Sequence, residues 1–326
     1  MSSNNFQLLQ QYFKQEIPKI NACLEAEVKF LPPYIGAVAR HVLDAGGKRL
    51  RPILTILVAR ALGYKEEDIY PLACALEIFH SATLIHDDIL DNACLRRGQT
   101  AAHLVFGIKK SVLAGDGLLA LGNMIVARYN KPVLNKVVSE AILATAYGEI
   151  QEIAVAGRYI DEKTYLEIIT GKTAVLIQAA CECGAIVSGQ DVCFWEAART
   201  YGLNMGIAFQ LIDDALDYLQ VEEKLGKPRY GDLKEGKITL PLILYLNSLD
   251  GENRDKLLGK ILEQQLTSNE LESIIFTISE RQIGAKVKNI AQQYIARARK
   301  ALLDFPENQE TDLLSAILNY IVEREK

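Results

Sequence analysis

The sequence predicts an all-α protein folded as a single helical bundle. Apolar residues recur at three- and four-residue spacing in segment after segment, and no stretch shows the two-residue alternation of a half-buried strand. No Pro-, Gly- or Ser-rich linker interrupts the 326 residues, so 1–326 read as one domain. Apolar residues make up 49% of the chain and charged residues 24%, the proportions of a globule able to bury a large core.

The helices follow in order. Phe6, Leu9, Phe13, Ile17, Ile20, Leu24 and Val28 give a first helix over residues 6–30, closed by Pro32-Pro33. A second spans 34–45 and ends at Gly46-Gly47, where a left-handed cap costs little. Lys48, Arg49 and Arg51 then precede Pro52, which is expected to open the next helix at its first position. A helix over 69–91 carries Leu72, Leu76, Phe79 and Thr83 towards Asp87; these residues suit a channel lining as well as plain core. Helices at 109–130 and 133–157 follow, the second holding Tyr147, Glu149, Gln151 and Glu152. Asp161 opens a helix that carries Gly171, Lys172 and Thr173. Residues 222–237 turn polar and Gly-rich, reading as a mobile cover with Lys227 and Lys237. Amphipathic segments at 254–266, 269–281, 284–303 and 310–323 read as packing and surface.

Composition excludes several classes. A net charge of −5 with no basic stripe argues against nucleic acid as a partner. Six cysteines follow no disulfide or zinc spacing and read as small buried residues in a reducing compartment. The first residues have neither a basic nor an apolar signal region, and charges interrupt each apolar run before the roughly 20 residues of a membrane span. The expected location is cytoplasmic.

The chemistry centres on Asp87, Asp88 and Asp91, where an apolar helix ends in three carboxylates and the chain then turns into Arg96 and Arg97. On a helix Asp87 and Asp91 lie one turn apart on one face and Asp88 about 100° round. Like charges so close repel unless a cation lies between them, and Mg²⁺ is the cation that takes carboxylates while sharing its remaining positions with phosphates. A lone acidic triplet is ordinarily a solvated helix end. Here the Asp-Asp-x-x-Asp spacing returns at Asp213, Asp214 and Asp217 behind a second apolar run, and two such triplets can face each other across a cavity. No Ser-His-Asp or Cys-His arrangement suggests a protein nucleophile.

Five motifs in fixed order then make the chain resemble the trans-isoprenyl diphosphate synthases, most closely the octaprenyl type. They are Gly46-Gly-Lys-Arg-Leu-Arg-Pro52, the first aspartate motif with Leu95-Arg-Arg-Gly98, Gly171-Lys-Thr173, Phe209-Gln210 with the second aspartate motif, and Gly226-Lys-Pro228 through Asp232 to Glu235-Gly-Lys-Ile-Thr-Leu-Pro241. The resemblance implies an isoprenoid-synthase bundle around a central apolar channel. It implies Mg²⁺, three ions per site, on Asp87, Asp91 and Asp213, with Asp88, Asp214, Asp217, Lys172 and Lys237 as further catalytic residues. It places isopentenyl diphosphate on Lys48, Arg51, His80 and Arg97, and an allylic diphosphate on Arg96, Lys172, Thr173, Gln210, Lys227 and Lys237.

The implied reaction is head-to-tail prenyl transfer. A class I terpene cyclase, which binds no second diphosphate, is disfavoured by Lys48, Arg51 and the Lys227–Lys237 stretch. A non-catalytic synthase subunit is disfavoured by two intact aspartate motifs, and a structural scaffold would not bind diphosphate in a Mg²⁺-dependent way. In this family small residues four and five positions before the first aspartate let the product grow. Here they are Thr83 and Ala82, so the channel is expected to extend at least to Phe79, and on towards Leu143 or Tyr147. The expected product exceeds four isoprene units and lies near eight; a farnesyl or geranylgeranyl diphosphate synthase is the alternative. Long apolar helices at 109–157 and the resemblance imply a homodimer, and a lipid product implies peripheral membrane contact at release.

Overall fold

The computed structural model describes residues 3–219, 231–234 and 236–323. They belong to two compact units interleaved along the sequence: Met1–Ile142, Leu176–Gly202 and Ala301–Ile317 form one, and Leu143–Val175, Leu203–Lys300 and Leu318–Lys326 the other. The described residues are helical almost throughout. In order it runs α1 Ser3–Val28, α2 Pro33–Asp44, α3 Leu50–Ala61, α4 Ile69–Leu90, a short β1–β2 hairpin, α5 Ala102–Phe106, α6 Ile108–Ala127, α7 Pro132–Val155 and α8 Glu162–Ile169. A π turn at Thr170–Ala174 leads to α9 Val175–Val187, α10 Val192–Leu219, α11 Gly231–Lys234, α12 Leu240–Leu246, α13 Gly251–Leu262, α14 Ser268–Glu280, α15 Ile283–Ala301 and, after a 3₁₀ turn, α16 Gln309–Glu323.

Helix α4 is the axis of the first unit, with α1, α2, α3, α5 and α6 packed around it. Leu72, Ala73, Cys74, Ala75, Leu76, Ile78 and Phe79 are all sealed from solvent, as expected of a helix apolar on nearly every side. Close approach of α6 depends on two glycines. A Cβ on Gly122 would sit 2.5 Å from Phe79 Cε1, and one on Gly115 would sit 2.8 Å from His86 Cε1. Phe79 and His86 are seven residues apart in one direction and Gly122 and Gly115 seven apart in the other, so the helices are antiparallel and two side chains seated against α6 fix their register.

Sequence and structure differ locally in four places. Helix α3 begins at Leu50, with Arg49 in a left-handed conformation (φ 48°) at its N-cap; Pro52 is therefore its third residue, where the missing N–H would have had no intrahelical partner anyway. Leu95–Arg96 and Gln99–Thr100 pair as antiparallel strands, turned by Arg97 (φ 52°) and Gly98 (φ 79°). Two positive φ values match the right-handed twist of a two-residue hairpin, which is too short to show alternation. Cys94 and Cys193 are exposed rather than buried, and all six cysteines are free thiols. By length and composition Ile108–Ala127 is apolar enough to cross a membrane, with 44% of its apolar window buried inside the fold.

In the second unit Tyr218, Leu242, Tyr245, Leu246, Ile261, Ile274, Ile278 and Ile283 make one core cluster. Its helices start cleanly: Asp161 caps α8, Asp250 caps α13, and Thr267 with Glu270 forms a capping box on α14. None of these carries chemistry.

The glycine contacts give a test of opposite signs. Gly122→Ala forces its methyl into Phe79 and is expected to destabilise by about 1–3 kcal/mol. Gly259→Ala, with nothing within 4 Å of its added Cβ, is expected to stabilise α13 by roughly 0.5–1 kcal/mol. Urea denaturation of both variants measures the two changes.

Candidate active site

The acidic end of α4 goes against ordinary helix design. Asp87, Asp88 and Asp91 gather at a C-terminus, where the helix dipole is already negative, and no basic residue lies in the last turn. Asp91 is the C-cap, its N–H bonded to Asp87 O at 2.8 Å, so those two carboxylates remain one turn apart. Asp88 turns inward instead. It is 3% exposed and receives Arg96 Nε at 2.7 Å and Nη2 of the same guanidinium. Arg96 thus answers an aspartate in this structure.

The second arginine of the hairpin reaches the Gly46-Gly47 turn. Arg97 Nη1 donates to Gly46 O, and a Cβ on Gly47 (φ 145°) would come within 2.5 Å of that nitrogen. Glycine is required there both for its backbone and for the space. Lys48 is exposed beside the turn. Arg49, by contrast, points into the core, where it pairs with Glu77 at 3.0 Å and bonds Asn21 Oδ1 at 3.0 Å and Leu43 O at 2.7 Å. Of these three cations it is engaged wholly within the fold.

Around His80 the balance of charge is lopsided. Burial first, and then Arg51, Arg97, Arg96 and Arg49, hold its pKa well below the usual histidine value, so the ring is neutral at pH 7. Burial pushes Arg51 down to about 10, against the pull of Glu77 and with the help of Arg97. Arg51 Nε is buried with no hydrogen-bond partner. Glu77 is committed to Arg49 and Asp88 to Arg96, so among the described residues neither Arg51 nor Arg97 has a carboxylate partner. Arg51 with a buried Nε lacking a partner, the exposed Arg97 guanidinium bonded to a carbonyl, and a neutral imidazole together give this place an excess of positive charge.

In the second unit the π turn carries Lys172 and Thr173. It lies between α7 and α10 because small residues let the backbones touch: a Cβ on Gly148 would lie 2.8 Å from Lys172 N, and one on Gly206 would lie 2.7 Å from Ala174 Cα. Thr173 Oγ1 donates to Gln210 Oε1 at 3.0 Å, and Gln210 Nε2 donates to Asp214 Oδ1 at 2.7 Å. The other Asp214 oxygen receives Tyr165 OH at 2.5 Å. Like Asp88, Asp214 is buried and occupied by the protein, while Asp213 and Asp217 stay half-buried one turn apart. Lys172 Nζ meets Glu149 at 2.7 Å and also Glu152; burial alone would lower its pKa, but the two glutamates raise it.

Among the described residues no three His, Cys, Asp or Glu side chains are arranged to hold a metal by themselves. Lys237 is half-buried ahead of α12, whereas Lys227 lies outside the described residues. Ala82 and Phe79 are fully buried, and Thr83 bonds His80 O at 2.8 Å. Leu143 and Tyr147 are largely exposed, and Tyr147 with Ala144, Gln151, Leu166 and Thr170 lines an open groove of ≈ 860 Å³.

The model of the polyprenyl synthetase family matches residues 32–278. The chain belongs to that family. As a member it is a prenyltransferase, a trans-polyprenyl diphosphate synthase, and the family uses a divalent metal. It is 33% identical over 322 residues to a Bacillus subtilis protein named heptaprenyl diphosphate synthase component 2, covering 98% of this chain and 91% of that one. It is 35% identical to a geranylgeranyl diphosphate synthase from Methanosarcina mazei, over 90% and 91% of the two chains. The structure of a polyprenyl synthase from Caulobacter crescentus, solved with calcium and isoprenyl diphosphate, matches with a TM-score of 0.89 and 35% identity over 98% of this chain and 97% of that one. Relatives of equal similarity carry names of different product length, so similarity alone does not set this synthase's product.

Sequence reading of this synthase missed Tyr165 and the pairing of Glu149 and Glu152 with Lys172. Their signal was two acidic residues three apart in an apolar helix segment.

The His80 environment has a pH consequence. Its folded pKa is depressed, so below about pH 6.5 the unfolded chain takes up a proton that the folded chain does not. Stability is therefore expected to fall as pH drops from 6.5, by at most about 1.4 kcal/mol per pH unit. His80→Gln should flatten that slope, as read from melting temperatures between pH 6.5 and 5.5.

Proposed function

We propose that this synthase condenses isopentenyl diphosphate head-to-tail onto an allylic diphosphate with Mg²⁺, and that its all-trans product exceeds C20 and lies near eight isoprene units. The charge around His80 carries this reading: Arg51 and Arg97 are charges without carboxylate partners beside a neutral imidazole, as a second diphosphate would need. A terpene cyclase, which ionises one diphosphate, has no use for that arrangement.

Lys48, Arg51, His80 and Arg97 hold isopentenyl diphosphate, and Lys172, Thr173, Gln210, Lys227 and Lys237 the allylic diphosphate, with Arg96 adding positive charge. Asp87, Asp91 and Asp213 are the proposed metal ligands. Mg²⁺, three ions in this reading, would supply positive charge there to offset that of the diphosphate. The cationic side chains stabilise the charge on the departing pyrophosphate. The allylic carbon loses its oxygen, bonds to the terminal carbon of isopentenyl diphosphate, and the resulting cation gives a proton to the departing pyrophosphate. Asp88 and Asp214 act here by fixing Arg96 and Gln210, respectively. Apolar walls keep water from the cation.

Ala82 and Thr83 carry the product length in this reading. Both are small, and the first bulky ring back along α4 is Phe79, seated against Gly122. Leu143, Tyr147, Ile150 and Ile153 on α7 and Ile108, Val112 and Leu113 on α6 are exposed apolar side chains, surface that a homodimer would cover. The relative named component 2 makes the activity of this chain alone worth measuring.

Two experiments test the reading. Asp87→Ala, Asp91→Ala and Asp213→Ala should each lower turnover by roughly 10²-fold or more while the fold persists, and excess chelator should abolish turnover until Mg²⁺ is restored; near-normal turnover in soluble Asp87→Ala would sink the metal mechanism. Purified chain given farnesyl diphosphate, labelled isopentenyl diphosphate and Mg²⁺ should yield products near forty carbons, and Ala82→Phe should shorten them without stopping the first condensations. Wild-type products that stop at fifteen or twenty carbons would overturn the length.

A further inference from the structure

Lysine has three N–H donors and no acceptor. In Lys172 two of them are engaged by carboxylates of α7, Glu149 Oε2 at 2.7 Å and Glu152 Oε2. No third partner is present among the described residues. Glu149 and Glu152 lie three apart and so share a helix face. The π turn brings Lys172 against them because Gly148 and Gly171 let the two backbones meet: a Cβ on Gly171 would be 2.9 Å from Ala144 O. Lys172 and Glu149 side chains are only 23% and 12% exposed, so water screens the pair weakly.

One carboxylate suffices to neutralise an ammonium group. Two on one helix face do more, because they fix a side chain that otherwise has four rotatable bonds. We propose that Glu149 and Glu152 are positioning residues that orient Lys172 and leave its third N–H for the diphosphate of the allylic substrate. The inference rests on the assignment of Lys172 to that substrate. Either glutamate acts through the lysine and touches no reacting atom.

A double-mutant cycle tests it. Glu149→Gln and Glu152→Gln keep side-chain size, and each should raise the KM for the allylic diphosphate by about 3- to 10-fold, since each binding event must then order a looser lysine. The KM for isopentenyl diphosphate should move less than about twofold, because that substrate meets other cations. In a Lys172→Ala background neither glutamine should add anything, and Glu152→Asp should recover part of the loss. Equal effects on both substrates, or glutamine effects that persist without Lys172, would overturn the inference and leave the synthase reading standing. An unchanged allylic KM in Lys172→Ala would overturn the role of Lys172 itself and the inference with it. Should the Glu149 variant fail to fold, the more exposed Glu152→Gln carries the cycle alone, its melting temperature confirming the fold.

Discussion

The ion pair between Asp88 and Arg96 joins the negative end of α4 to the hairpin that carries the positive charge. Three carboxylates at a helix C-terminus repel one another and the helix dipole. Turning the middle one inward onto a guanidinium relieves part of that repulsion and leaves Asp87 and Asp91 as a pair one turn apart. Arg97, placed by the same hairpin, then reaches the Gly46-Gly47 turn, and with Arg51 it surrounds His80 with charge. Loss of this pair would leave Asp88 as a buried charge without its partner, a far costlier state than a broken surface salt bridge.

The second aspartate motif repeats the inward turn, with neutral hydrogen-bond donors on its middle residue. Asp214 is buried on Tyr165 and Gln210, and Gln210 in turn receives Thr173. In both motifs the middle residue is buried and held by the protein, and the outer two are partly exposed to solvent. Equal spacing therefore does not mean equal roles. A carboxylate 100° round a helix from its neighbours faces a different environment, and here that environment is the packed interior.

Absence of side chains does as much as their presence. Gly115 and Gly122 admit His86 and Phe79 into α6, while Gly148, Gly171 and Gly206 let the π turn lie against two helices. Each contact sets the position of a functional group one turn or less away. The turn is itself irregular, as helices often are where a side chain must be aimed.

The sequence by itself determined the helical class, most helix positions, the two aspartate motifs and the cations that follow the first. Those features are written in periodicity and in unusual charge, which neighbours along the chain suffice to reveal. Only the tertiary structure decided that Asp88 and Asp214 face inward, that Arg49 serves Glu77 while Arg51 does not, and that Lys172 rests on Glu149 and Glu152. Helix α4 is apolar on nearly every side, so its pattern could not say which face meets α6 or where Phe79 is seated. Periodicity assigns a residue to a face of its own helix; what packs on that face is fixed by segments far away in sequence, and for buried charges that partner determines the role.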